Sequence, residues 1–240
     1  MKIIIAADSF KGSLSAGESC SIIAGQAERV FPQAEIVQLP ISDGGEGLVE
    51  VVFSARGGER KIVHTSDPLG REISVSYLQL ADGSALIEMA GAGGLTLLNP
   101  REYDPLRTST FGVGLMILDA IKAGADPIYI GLGGSATVDG GTGAASALGM
   151  RFLDDQGERV SSGGGLGKIQ NLDISGLHDL NYSGKLIFLT DVNNPLYGPN
   201  GAAEVFGPQK GASREQVRQV DRGLQNLAEL IERETGSNLT

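Results

Sequence analysis

The chain has 240 residues, 41% hydrophobic and 20% charged, enough for one large domain or two ordinary ones and incompatible with wholesale disorder. Its formal net charge is −10 with no run of Lys or Arg, which argues against nucleic acid as a partner. No apolar run reaches membrane-spanning length and Cys20 is the one cysteine, so the expectation is a cytoplasmic protein with no membrane contact and no internal disulfide.

In chain order, Lys2–Ala7 reads as a buried strand that ends at Asp8-Ser9-Phe10-Lys11-Gly12. Ser15 and Glu18 have capping-box spacing and predict a helix to Phe31, stopped by Pro32. A second strand, Ile36–Ile41, leads into Ser42-Asp43-Gly44-Gly45-Glu46-Gly47 and a helix to about Arg56, with Gly57 as C-cap. Two β-loop-α units in succession predict the start of a parallel, flavodoxin- or Rossmann-like sheet.

The pattern changes after residue 60. Lys61–Thr65, Ile73–Leu80 and Ala85–Met89 predict antiparallel strands, with Asp82-Gly83 as a type I′ hairpin signal. A helix from Thr108 or Ser109 to Ala123 follows, then strands at Pro127–Gly131, Phe152–Asp155 and Leu186–Thr190. Ser213 and Gln216 predict a capping box on a long amphipathic helix to Glu234. The fold class is therefore α/β, in two α/β domains with a cleft between them. Residues 1–60 are the N-terminal part of a parallel-sheet domain that two strands do not complete, and 61–240 form a mixed-sheet domain.

Glycine is the outlying residue type, 36 in all, and the glycines cluster in loops after strands. Open α/β sheets bind ligands where such loops and helix N-termini present backbone N–H groups. Asp8, Ser9 and Lys11 offer a carboxylate, a hydroxyl and an ammonium, suited to a metal–phosphate complex, an organic acid or a plain turn. Asp43 with Gly44, Gly45 and Glu46 offers close backbone approach and two acids for Mg²⁺. Gly131-Leu132-Gly133-Gly134-Ser135-Ala136-Thr137-Val138-Asp139-Gly140-Gly141 is the densest loop and reads as a phosphate or substrate cradle. It also satisfies a loose dinucleotide fingerprint, with Asp154 or Asp155 as the distal acid, which leaves a nicotinamide-dependent oxidoreductase open. Thr190-Asp191-Val192-Asn193-Asn194 places a carboxylate directly after an apolar strand. Gly163–Lys168 imitates a Walker A loop but lacks its first glycine and its Ser/Thr, and reads as a flexible loop; His64 reads as structural and His178 as exposed.

Taken in order, Ala7–Ala16, Ser42–Gly47, Gly131–Gly141, Asp191–Gly198 and Gly207-Pro208-Gln209-Lys210-Gly211-Ala212 resemble the glycerate kinase family of the bacterial glycerate and glyoxylate pathways. Ala7 stands where proline is usual and Val138 where asparagine is usual. The resemblance implies phosphorylation of D-glycerate by ATP with Mg²⁺, to 2-phosphoglycerate, and leaves a homodimer open. It also implies a discontinuous first domain whose remaining strands lie in a C-terminal segment beyond this sequence, so that a catalytically incomplete fragment or a binding module is a further reading. On this reading Asp191, Lys11 and Asp8 are the catalytic residues, with Asp191 and Asp43 on the metal. Ser9, Asp43, Gly44, Gly45, Gly133, Gly134, Ser135, Thr137, Asp139 and Asn193 would hold substrate or phosphate, and Ser109 and Thr110 the substrate carboxylate.

Overall fold

The computed structural model describes residues 1–10 and 13–237. β1 (Lys2–Ile5) and β2 (Glu35–Gln38) pair in parallel and are joined by α1 (Ala16–Val30). The expected capping box is present: Ser15 Oγ accepts from Glu18 N at 3.2 Å, and the Glu18 carboxylate accepts from Ser15 N at 2.8 Å. Ile5, Cys20 and Ala24 are buried together, so Cys20 serves as a small packing residue. Both strands end earlier than predicted, although backbone bonds from Leu39 to Ile5 and from Ile41 to Ala7 carry the contact onward. Pro40, between those donors, has no N–H to give. Among the described residues β1 and β2 pair only with each other, and Ile4, Leu39 and Ile41 are exposed.

Gly25 lies inside α1, and a Cβ added there would meet nothing within 4 Å. Gly25→Ala should therefore raise stability by about 0.5–1 kcal/mol through helix propensity alone, read as a higher urea midpoint. An unchanged or lower midpoint would show that α1 does not behave as an open surface helix.

α2 (Leu48–Arg56) ends at Gly57, as expected, and buries Val49 against Leu78, Leu80 and Leu86. Those partners belong to a five-stranded mixed sheet. It contains β3 (Glu59–Ser66), β4 (Glu72–Gln79) and β5 (Ala85–Glu88), successively antiparallel. The β4–β5 turn is not type I′, which needs positive φ at both central residues. Gly83 has it, at φ 88°, but Asp82 does not, because its carboxylate accepts from Ser84 N (3.1 Å) and Ser84 Oγ (2.6 Å) and holds the ordinary conformation.

The chain continues through α3 (Ala90–Gly93) and α4 (Phe111–Lys122) to β6 (Ile128–Gly131). It then forms α5 (Thr142–Ala147), the small antiparallel pair β7 (Arg151–Leu153) and β8 (Asn171–Asp173), and α6 (Ser175–Asp179). β9 (Leu186–Leu189), α7 (Ala202–Phe206) and α8 (Arg214–Thr235) complete it. Sheet order is β3-β4-β5-β6-β9, with β5, β6 and β9 parallel. One face packs on α4 through Tyr77, Ile87, Ile128, Ile130, Val113 and Met116, all buried. Helix α4 starts later than predicted, since Thr110 at ψ 10° is still outside it.

A second core lies under α8, where Val217, Val220, Leu224 and Leu227 face Phe152, Val160, Leu166 and Ile169. The predicted flexible loop at Gly163–Lys168 is instead a 3-10 helix against α8. Leu166 is fully buried there, and a Cβ on Gly223 would lie 2.7 Å from Leu166 Cβ, so glycine permits close packing rather than mobility. Val138 is buried in this same core, so its side chain faces α8 and not a ligand.

Candidate functional site

Parallel strands deliver their following loops to one end of the sheet. In register, Gly131 of β6 lies beside Glu88 of β5 and Leu189 of β9. The loops leaving those three strands, together with the loop after β2, enclose a cavity of about 520 Å³. Its wall includes Asp43, Glu46, Gly133, Gly134, Ser135, Asp191 and Lys210. Three segments that the sequence keeps about ninety and sixty residues apart thus meet at one place.

Asp43, Glu46 and Asp191 are exposed on that wall. Among the described residues no three His, Cys, Asp or Glu converge as a metal cage. A pair of exposed carboxylates is a donor set that suits Mg²⁺ when phosphate oxygens and water supply the remaining ligands. Asp43 Oδ1 also accepts from Gly45 N at 2.9 Å and shapes its own turn.

Asp8 lies behind this wall and positions it: Oδ2 accepts from Asp43 N at 3.1 Å, and Oδ1 from Ser9 N at 2.6 Å. Ser9 lines a neighbouring cavity of about 390 Å³, whose wall Glu46 shares. Lys11 lies outside the described residues. Asn193 is exposed on the loop after β9 and is not on the wall of the larger cavity.

Gly44 and Gly45 meet Gly131 and Gly133 backbone to backbone. Gly133 N approaches Gly44 O at 3.4 Å, and a Cβ on Gly133 would overlap Gly45 Cα and lie 2.9 Å from Gly45 N. The loop after β2 is held from its other side by Glu88, whose carboxylate accepts from Val49 N at the start of α2. Gly47, the N-cap there, has no side chain to offer, so Glu88 replaces it from β5. Burial pushes the Glu88 carboxyl up, while its bonds from Val49 and Gly47 work the other way.

The remaining candidates form an internal knot. Asp139 is 1% exposed and accepts from Thr110 N (2.8 Å), Thr110 Oγ1 (2.8 Å), Gly141 N (3.2 Å) and Gly143 N (3.3 Å). Thr110 Oγ1 in turn accepts from Ala144 N at 2.9 Å, and Ser109 Oγ from Phe111 N at 3.2 Å. The structure therefore brings Ser109, Thr110 and Asp139 together at the α4–α5 junction, away from the wall of the larger cavity. Asp139→Ala strands four donors in a buried place and should lower the unfolding free energy by roughly 3 kcal/mol, measured by urea denaturation. A loss below about 1 kcal/mol would show that water replaces the carboxylate and that the knot is not structural.

Sequence reasoning gave no role to Lys210. It sits in the 3-10 turn Pro208–Lys210 between α7 and α8, is 5% exposed, and reaches the loop after β6. Its Nζ donates to Ser135 Oγ at 2.8 Å and to Thr137 O at 2.7 Å. Desolvation brings its pKa down to about 8, opposed by the Asp139 charge. The available signal was a lysine inside the Gly207–Ala212 motif, but only tertiary packing buries it.

A model of the glycerate kinase family matches residues 3–240. The chain is 43% identical over 235 residues to a glycerate 2-kinase of Escherichia coli, covering 97% of this chain and 62% of that protein. It is 44% identical over 239 residues to a glycerate kinase of Bacillus subtilis, covering 99% and 63%. A crystal structure assigned as glycerate kinase 2 of Salmonella typhimurium superposes with TM-score 0.86 at 43% identity, covering 100% of this chain and 64% of that one. The chain thus spans a little under two thirds of the length of these relatives.

Proposed function

The chain belongs to the glycerate kinase family, and we propose that the larger cavity is its phosphoryl-transfer site, taking ATP and D-glycerate and yielding 2-phosphoglycerate in organic acid catabolism in the cytoplasm. The observation that carries this reading is the meeting of Asp43, Asp191 and the Gly133–Ser135 backbone on one wall. Phosphoryl transfer needs positioning and charge neutralisation more than covalent chemistry, and these groups supply both.

Mg²⁺, when bound, would offset the charge on the phosphate oxygens, with Asp191 and Asp43 holding it directly or through water. On this reading Asp191 also orients the glycerate hydroxyl and accepts its proton. Asp8 acts through Asp43, whose N–H it fixes. Gly133, Gly134 and Ser135 lie along the phosphate side, while Asp139 and Thr110 keep that loop in shape from within. We read β1, α1 and β2 as part of a discontinuous domain forming the other side of a cleft, a reading supported by the exposed Ile4, Leu39 and Ile41.

A coupled kinase assay with D-glycerate and Mg-ATP, run on residues 1–240 and on any longer reading frame, tests the proposal. Turnover in either supports it. A lack of turnover in both removes the kinase reading.

A further inference from the structure

We propose that Lys210 is the anion-binding cation of the larger cavity, meeting a carboxylate or phosphoryl oxygen of the bound ligand with the one N–H that no described residue takes up. The inference deepens the kinase reading and rests on it for the identity of that ligand.

A buried ammonium is costly unless it is paired and hydrogen-bonded, and a methionine of similar size would fill the same space without that cost. Lys210 is 5% exposed, yet among the described residues no carboxylate pairs with it. Asp139, whose charge the ammonium feels, already accepts from four donors. Two of the three ammonium protons go to Ser135 Oγ and Thr137 O, which aim the side chain without neutralising it. The side chain lines the cavity, so the third proton and the charge serve that space. Ser135 also gains a direction. Its oxygen accepts from Lys210, which leaves its own proton to donate, and it stands on the same wall.

The rest of the cavity has the opposite character. Asp43, Glu46 and Asp191 are exposed acids that attract a cation and repel a bare anion. One buried lysine facing them is the arrangement that separates the two ends of a metal–anion complex, or a substrate carboxylate from a metal-bound phosphate.

Depression of the Lys210 pKa to about 8 gives the idea a signature. The ammonium is present below that pH and is lost as pH rises through it, so anion binding should fall over the same range. The titratable groups on the elements packed about it are Asp139 and Tyr103 in loops, Glu204 on α7, and the cavity's Asp43, Glu46 and Asp191.

The test is calorimetric titration of residues 1–240 with D-glycerate and, separately, with sulfate, from about pH 6.5 to 9.5, where both probes keep constant charge. Wild-type protein should bind at least one of them, with affinity falling toward tenfold per pH unit above about 8. Lys210→Met should bind at least tenfold more weakly with no such slope. Lys210→Arg should restore binding with a flat profile, because guanidinium stays charged. Preference for D-glycerate would assign the carboxylate; preference for sulfate would assign the phosphoryl oxygens. Wild-type binding of neither probe overturns the proposal. So does a Lys210→Met affinity equal to wild type, or an arginine variant that keeps the slope near pH 8. If Lys210→Met does not fold, the wild-type and arginine profiles still decide. The two readings fail separately: lysine-dependent anion binding without turnover sinks the kinase and keeps Lys210, while turnover indifferent to Lys210→Met does the reverse.

Discussion

Asp191→Asn, introduced into a reading frame that phosphorylates D-glycerate, should lower kcat by about 10²–10³ while leaving the thermal midpoint nearly unchanged. The expected separation of activity from stability comes from position. Asp191 is exposed, stands two residues beyond Leu189, and lines the cavity with Asp43. Leu189 is in register with Gly131 on β6, so Asp191 and Gly133 leave adjacent parallel strands at the same step. Asparagine keeps the shape and one oxygen but removes the charge. Surface changes of that kind usually shift stability by under about 0.5 kcal/mol. Steady-state kinetics at several Mg²⁺ concentrations separate its two proposed duties. Partial rescue by excess Mg²⁺ points to metal holding, and a kcat deficit insensitive to Mg²⁺ points to the hydroxyl proton. A kcat within a factor of two of wild type takes Asp191 out of the mechanism.

How much of this was visible in sequence depended on the range of the interaction. The capping boxes at Ser15 and Ser213 are made by residues three apart, and both are present. The Asp82-Gly83 turn was misread because one side chain, Asp82, chose a local partner in Ser84 that turn statistics do not specify. Gly163–Lys168 looked loose because glycine is locally permissive, and only α8, more than fifty residues later, shows what the missing side chains make room for. The same holds at the site. Asp43, Gly133 and Asp191 could be grouped because loops after parallel strands share one end of a sheet. Asp139 and Lys210 could not be sorted from sequence, since a buried acceptor and a ligand-facing acid are chemically alike, and burial is a tertiary property. Thr110 lies 29 residues from Asp139, and Ser135 lies 75 from Lys210.

The glycines of Gly131–Gly141, expected to form one ligand cradle, and Gly143 just beyond them divide into different physical roles. Gly134 is exposed, with φ 74°. Gly143 makes room for α4: a Cβ there would lie 2.6 Å from Phe111 N and 2.8 Å from Thr110 N. Gly131 and Gly133 press on the loop after β2, and Gly133 is where the cavity depends on the absence of a side chain most directly. Gly133→Ala must push the Gly44–Gly45 backbone away, since the atoms it meets are main chain and no rotamer change can clear them. Overpacking of this kind costs roughly 1–3 kcal/mol, which for a chain this long lowers Tm by about 2–12 °C. The displacement also carries Asp43 away from Asp191, so binding of Mg-ATP should weaken at least tenfold in a variant that still folds at 25 °C. Differential scanning calorimetry and a nucleotide titration measure the two effects, with Gly25→Ala as the control for adding a methyl group where space is open. If Gly133→Ala kept both Tm and nucleotide affinity, the two loops would not be pressed together, and the wall formed by Asp43 and Asp191 would lose its structural basis.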